Sequence, residues 1–127
     1  MGRLSLRFWI VDDDLRFGRS LKRMLNAKGI PAEYFGSGQS FLDSVPPEQS
    51  GYAIVDIHMP GCDGFTLLKK MHDLNYDMPV IIITGQASGE ARDRAMQNGA
   101  VGYLQKPFSE DSLMELVHKQ EAERSTP

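Results

Sequence analysis

The sequence predicts an α/β fold in which five parallel strands, ordered 2-1-3-4-5, form one sheet covered by helices on both faces. Three observations carry that expectation. Five short apolar runs alternate with five helical patterns along the 127 residues. About a dozen residues or more separate successive runs, which suits crossover helices and the right-handed connections of a parallel sheet. The run Pro79–Ile83 is rich in β-branched residues and shows no polar alternation, as a strand buried on both faces should.

Taken in order, Phe8–Val11 is a fully apolar strand. A helix follows with Phe17, Leu21, Met24 and Leu25 on one face and Gly29 as its stop. Pro31–Phe35 reads as a modest second strand, and Ser37 caps a short helix carrying Phe41 and Leu42. Pro46 to Gly51 is a loop by composition, before the third strand at Tyr52–Val55. The turn Met59-Pro60-Gly61-Cys62-Asp63-Gly64, in which Asp63 is a cap or turn acid, leads to a helix bearing Phe65, Leu68 and Met71. Thr84 and Gly85 close the fourth strand. A polar helix with Ala91, Ala95 and Met96 runs to Gly99, and Val101–Leu104 is the fifth strand. Ser109, Glu110 and Asp111 open a last helix with Leu113, Leu116 and Val117 inward. From Glu121 to Pro127 the chain turns polar and is expected to fray. The arrangement is the flavodoxin-like (βα)5 order, whose ligands sit outside the carboxyl ends of the strands.

The length suits one domain with a real core. The formal net charge of −3 gives no basic footprint, so nucleic-acid binding by this segment is disfavoured. No apolar stretch approaches a membrane span, no secretory apolar core is present near Met1, and Leu6 stands where a myristoylation signal needs Ser or Thr. A cytoplasmic protein is expected. Cys62 is the single cysteine, which excludes an internal disulfide and a cysteine metal cluster, and reads as a reduced loop residue.

Four of the five strands end in residues that suit phosphoryl chemistry: Asp12 and Asp13, then Asp56, then Thr84, then Lys106 before Pro107. In the order 2-1-3-4-5 these strands are neighbours, so the residues share one crevice. Crowded carboxylates repel, and a divalent cation relieves that repulsion. Magnesium suits oxygen ligands of this kind. Asp56, alone on the middle strand, is the candidate nucleophile for an aspartyl phosphate. Lys106 and Thr84 supply a point charge and a hydroxyl to phosphoryl oxygens. A cis Lys106-Pro107 bond would fix the lysine's direction.

Each residue also has a plainer reading. Asp12, Asp13 and Asp14 suit a helix cap, Asp56 an Asx-turn, Thr84 a strand end and Lys106 a solvated charge. Their coincidence at adjacent strand ends is what favours a site.

These residues resemble the response regulator receiver domains of two-component signalling over nearly the whole chain. The carriers are Ile10-Val11-Asp12-Asp13, the stretch Asp56-Ile57-His58-Met59-Pro60-Gly61-Cys62-Asp63-Gly64, the Thr84-Gly85 strand end, and Gly102-Tyr103-Leu104-Gln105-Lys106-Pro107-Phe108. Val11-Asp12-Asp13-Asp14, Ile83-Thr84-Gly85 and Gln105-Lys106-Pro107-Phe108 look closest to receivers of helix-turn-helix transcriptional regulators.

The resemblance implies a receiver over residues 1–122, with 123–127 as a polar tail or the start of a linker. It implies phosphoryl transfer to Asp56 from a sensor histidine kinase or phosphotransfer protein. Mg2+, with Mn2+ able to substitute, would be held by Asp13, Asp56 and the His58 backbone carbonyl, with Asp12 helping through water. Thr84 and Lys106 would bind phosphoryl oxygens, and Tyr103 would follow the threonine inward. His58 and Gln86 occupy positions that tune phosphate loss in the family. The plain alternatives are an ordinary half-buried aromatic at Tyr103 and an exposed side chain at His58. The output face would be helix 4, strand 5 and helix 5, with an isologous homodimer favoured by phosphorylation. The domain would not be a conventional enzyme, though it would assist its own phosphorylation and dephosphorylation.

Two rival enzymes and carriers fit poorly. A haloacid-dehalogenase-like phosphatase expects Asp-x-Asp-x-Thr after strand 1, and a flavin carrier expects a hydroxyl- and glycine-rich loop where Asp12, Asp13 and Asp14 would repel the phosphate. The remaining alternative is a receiver-shaped interaction module that works without phosphorylation.

Overall fold

The structure, a computed structural model, describes residues 6–125. Its elements alternate strictly: β1 (Phe8–Val11), α1 (Leu15–Ala27), β2 (Ala32–Phe35), α2 (Gly38–Ser44), β3 (Tyr52–Asp56), α3 (Gly64–Asp73), β4 (Val80–Thr84), α4 (Gly89–Gln97), β5 (Gly102–Gln105) and α5 (Glu110–Ser125). All strand pairs are parallel, in the order β2-β1-β3-β4-β5.

The uniformly apolar runs are explained by two covered faces. Successive side chains of a strand point to opposite sides. Phe8 and Ile10 of β1, Ile54 of β3, and Ile81 and Ile83 of β4 pack with Leu21 and Leu25 of α1 and Leu113 and Val117 of α5. Trp9, Val11, Val55 and Ile82 face the other way, into Phe41 of α2, Leu67, Leu68 and Met71 of α3, and Ala95 of α4.

Each helix starts on an oxygen-bearing side chain that accepts from the backbone three residues on. Asp14 caps Phe17, Ser37 caps Ser40, Asp63 caps Thr66, Ser88 caps Ala91 and Ser109 caps Ser112, at 2.8–3.1 Å. Asp63→Ala is expected to lower the unfolding free energy by about 1 kcal/mol, read from a urea titration. At the other ends, Gly29 and Gly99 follow α1 and α4 with φ of 80° and 96°, a left-handed region that glycine enters without steric cost.

Three details differ from the sequence expectation. β2, β4 and β5 begin one residue later than the apolar pattern suggested, and β3 and β4 extend to include Asp56 and Thr84. The last helix continues past Glu121 through Ser125, where Lys119 to Arg124 is an unbroken run of helix formers, and Thr126 and Pro127 lie outside the described residues. Met96 points outward and is 44 % exposed, leaving Ala95 as the buried side chain of α4.

Candidate functional site

The carboxyl ends of β1, β3, β4 and the turn after β5 meet at one edge of the sheet. Asp12 follows β1 directly; its amide donates to Phe35 O at 3.1 Å and its Oδ1 accepts from Asp14 N at 2.9 Å. Asp56 is the last residue of β3, in register with Ile83. The Lys106 amide donates to the Thr84 carbonyl at 2.7 Å, which ties the post-β5 turn to β4. The Lys106-Pro107 bond is cis.

These backbone placements bring the charges together. One carboxylate oxygen each from Asp12, Asp13 and Asp56 lies within 4.8 Å of the others. Asp12 and Asp56 are buried, whereas Asp13 is exposed at the mouth. Lys106 Nζ sits 2.8 Å from Asp12 Oδ2 and 3.6 Å from Asp56 Oδ1, and also lies over the Phe17 ring at 4.5 Å. Although it is close to the ammonium, the enclosed Oδ2 of Asp12 has no well-directed hydrogen bond among the described residues. The contact is an ion pair.

Burial pushes the Asp56 carboxyl up to about 6; the Asp12 charge adds to the rise and Lys106 opposes it. Asp12 is also raised, chiefly by burial, against the close contact with the Lys106 ammonium. For Lys106, burial disfavours the charged form, but the contact with Asp12 and the Asp12 and Asp56 charges outweigh it and raise the ammonium's pKa.

A carboxyl that binds its proton more tightly when folded favours the fold at low pH and loses that contribution as pH rises through the folded value. In chelator-treated protein, stability is expected to fall between about pH 4 and pH 6, by at most about 3 kcal/mol from Asp56. Urea titrations across that range check it, and an increase over the window would contradict it.

The chemistry of the donor set fits a hard divalent cation: three carboxylates, one buried oxygen lacking a directed donor, and no nitrogen or sulfur ligand in the cluster. Among the described residues this is the only group of three or more potential ligands found together. A groove of about 360 Å3, lined by Met71, Tyr76, Met78 and Pro79 among others, opens at the opposite end of the sheet, away from these charges.

The remaining candidates, Thr84, Gln86, His58 and Tyr103, lie outside the carboxylate cluster. Thr84 is fully buried, and its Oγ1 accepts from Gln86 N at 3.1 Å, so the hydroxyl engages its own turn. Gln86 and His58 are exposed at the rim, and the His58 charge is near enough to favour ionised Asp56. Tyr103 is half-buried, with its hydroxyl accepting from Ser88 N at 3.2 Å at the start of α4. His72 and His118 face solvent, and Trp9 is core, donating from Nε1 to Ser50 O.

Two contributors escaped the sequence reading. Phe17, on the apolar face of α1, lies beneath the Lys106 ammonium and packs edge-on against Phe108. Tyr34 donates its hydroxyl to the Asp12 carbonyl at 2.6 Å. A glycine inside the α1 pattern, Gly18, was the available signal for a close approach there.

Fold and pocket together define a doubly wound α/β domain with an acidic, lysine-paired site at the strand ends. The family model of the response regulator receiver domain matches residues 8–118, and the chain belongs to that family. It is 36 % identical over 109 residues to the transcriptional regulatory protein FixJ of Bradyrhizobium diazoefficiens, covering 86 % of this chain and 53 % of that protein. To the DNA-binding transcriptional regulator NtrC of Klebsiella pneumoniae it is 39 % identical over 111 residues, covering 87 % of this chain and 24 % of that one. The chain thus spans about half or less of these relatives. The crystal structure of FixJ-N superposes with a TM-score of 0.81 at 32 % identity, over 90 % of this chain and 91 % of that one. A CheY-like receiver domain protein from Methanospirillum hungatei JF-1 superposes with a TM-score of 0.82 at 32 % identity, over 93 % and 94 %. No helix among the described residues is long and apolar enough to cross a membrane.

Proposed function

We propose that this chain is the phosphoacceptor unit of a two-component response regulator, with Asp56 as the acceptor. The observation that carries the reading is the buried Asp56 carboxylate clustered with those of Asp12 and Asp13, with the Lys106 ammonium 2.8 Å from Asp12 and 3.6 Å from Asp56. Oxygen of ionised Asp56 attacks the phosphorus of a phosphohistidine on a sensor histidine kinase or phosphotransfer protein. The P–O bond forms as the P–N bond breaks, and the imidazole nitrogen leaves with the electron pair. Asp13, Asp56 and the His58 backbone carbonyl would hold Mg2+ or Mn2+, with Asp12 acting through water. When bound, such an ion would offset the negative charge of the carboxylates and phosphoryl oxygens. Lys106 and Thr84 bind those oxygens after transfer, which requires Lys106 to loosen from Asp12 and the Thr84 hydroxyl to leave the Gln86 turn. His58 and Gln86, at the rim, govern the access of water that removes the phosphate. The domain is therefore a substrate that assists its own phosphorylation and dephosphorylation rather than a conventional enzyme.

Phosphorylation adds about −1.5 to −2 charges beside Lys106. The readout is α4, β5 and α5. Only Ala95 of α4 is buried, and the Tyr103 hydroxyl holds the helix's first turn through Ser88 N, so a move of Thr84 and Tyr103 frees a lightly anchored helix. The resulting face controls an output, transcription by analogy with the relatives' names, and a homodimer through it would be isologous. The receiver unit spans residues 1–122, with 123–127 as a polar tail or linker start, and it works in the cytoplasm without itself binding nucleic acid.

Intact mass after incubation with acetyl phosphate and Mg2+ tests this. A gain of one phosphoryl group that is lost when EDTA is included is the expected result. No gain from acetyl phosphate or a phosphorylated kinase, together with no cation binding, would instead favour an interaction module that works without phosphorylation.

A further inference from the structure

Gly18 is buried in the interior of α1, where glycine costs a helix about 1 kcal/mol relative to alanine. The space it leaves is filled. A Cβ at Gly18 would overlap Cε1 and Cδ1 of the Tyr34 ring. Tyr34 belongs to β2, the edge strand beside β1, and pairs in register with Ile10. Its ring packs against α1 at Gly18, and its hydroxyl donates to the backbone carbonyl of Asp12 at 2.6 Å. Asp12 is thus held at its carbonyl by Tyr34, at its amide by Phe35 O and at Oδ1 by Asp14 N.

We propose that Tyr34 is a positioning residue for the acidic pocket: seated in the gap left by Gly18, its hydroxyl fixes the Asp12 carbonyl and so holds the Asp12 and Asp13 carboxylates at cation-binding separation. The carbonyl belongs to the peptide that joins Asp12 to Asp13, so the torsions on its two sides set how the two carboxylates lie relative to each other. Without the phenol the part-buried carbonyl loses its donor and the two acids are free to spread under mutual repulsion. The inference rests on the receiver reading, because the cation is the one that reading requires.

The test is calorimetric titration of MgCl2 into the metal-free chain, its Tyr34→Phe and Gly18→Ala variants, and the double variant Gly18→Ala with Tyr34→Leu. Tyr34→Phe keeps the ring and removes one donor, and is expected to weaken Mg2+ binding about five- to tenfold. Labelling by acetyl phosphate should slow at low Mg2+ and return to the parental rate at saturation. Gly18→Ala should weaken binding as well, by displacing the ring. In the double variant leucine leaves room for the new methyl group. Its unfolding midpoint should therefore recover relative to Gly18→Ala while its Mg2+ affinity stays low, since no hydroxyl is restored. Parental affinity in Tyr34→Phe, or recovered affinity in the double variant, would reduce Tyr34 to a packing residue and overturn the proposal while leaving the receiver reading intact. A parent chain that binds no Mg2+ would overturn both.

Discussion

Asp56→Asn is expected to accept no phosphoryl group, while becoming more stable than the parent in chelator at neutral pH. The amide nitrogen and oxygen of Asn are poor nucleophiles, so the loss of labelling should be complete within the sensitivity of intact-mass measurement. The stability gain has a separate origin. The parental carboxyl is buried and titrates near 6, so at pH 7.5 it is ionised against the preference of its surroundings. Removing that charge without changing the side chain's size should raise the unfolding free energy by about 1–3 kcal/mol, and the gain should vanish near pH 4, where the parent is protonated too. Urea titrations at both pH values, with EDTA, measure the difference. Undiminished labelling of the variant would refute the acceptor assignment, and equal stability at pH 7.5 would refute the strained carboxylate.

Lys106→Ala should have the opposite effect on stability. Its ammonium is the cation nearest both buried acids, 2.8 Å from Asp12 and 3.6 Å from Asp56. Deleting one partner of a buried pair leaves the other charge uncompensated, an effect of about 3 kcal/mol or more in enclosed settings and somewhat less here because Lys106 is partly open to water. The loss should be greatest in chelator at pH 7.5. Acid, which neutralises the carboxylates, and Mg2+, which replaces the missing charge, should both reduce it. Labelling at Asp56 should persist at a reduced rate, since the nucleophile and carboxylate ligands remain. The change in α4 should be lost, because no ammonium draws on the new phosphoryl oxygens. Amide chemical shifts of Ser88 and its α4 neighbours, recorded before and after labelling, are the readout. A full parental shift would show that Lys106 is not part of the switch.

The two variants would separate chemistry from communication. In the proposed reading Asp56 is the point of bond formation, and the route outward would pass Thr84, Tyr103 and the Ser88 amide. That route would need an exchange of partners, because the Thr84 hydroxyl serves the Gln86 turn and the Tyr103 hydroxyl serves the first turn of α4. Such an exchange gives two discrete arrangements, and a phosphoryl group that binds one of them better shifts the population toward it.

Much of this architecture was legible because it is written in near neighbours. Apolar runs without alternation mark strands buried on both sides, Asp and Ser three residues ahead of an amide mark helix starts, and Gly29 and Gly99 mark helix ends. The convergence of Asp12, Asp13, Asp56 and Lys106 followed from strand order, which crossover length and handedness restrict to few possibilities. The chain by itself therefore determined which residues arrive at the carboxyl edge of the sheet. Tertiary structure decided what each of them touches: Lys106 pairs with Asp12 over the face of Phe17, the Thr84 hydroxyl turns to Gln86, and Tyr34 reaches Asp12 only because α1 has no side chain at Gly18. Those contacts join positions up to 94 residues apart in sequence, as with Asp12 and Lys106. They depend on ring and side-chain volumes packing across two elements at once, which no local pattern of apolar spacing or capping residues encodes.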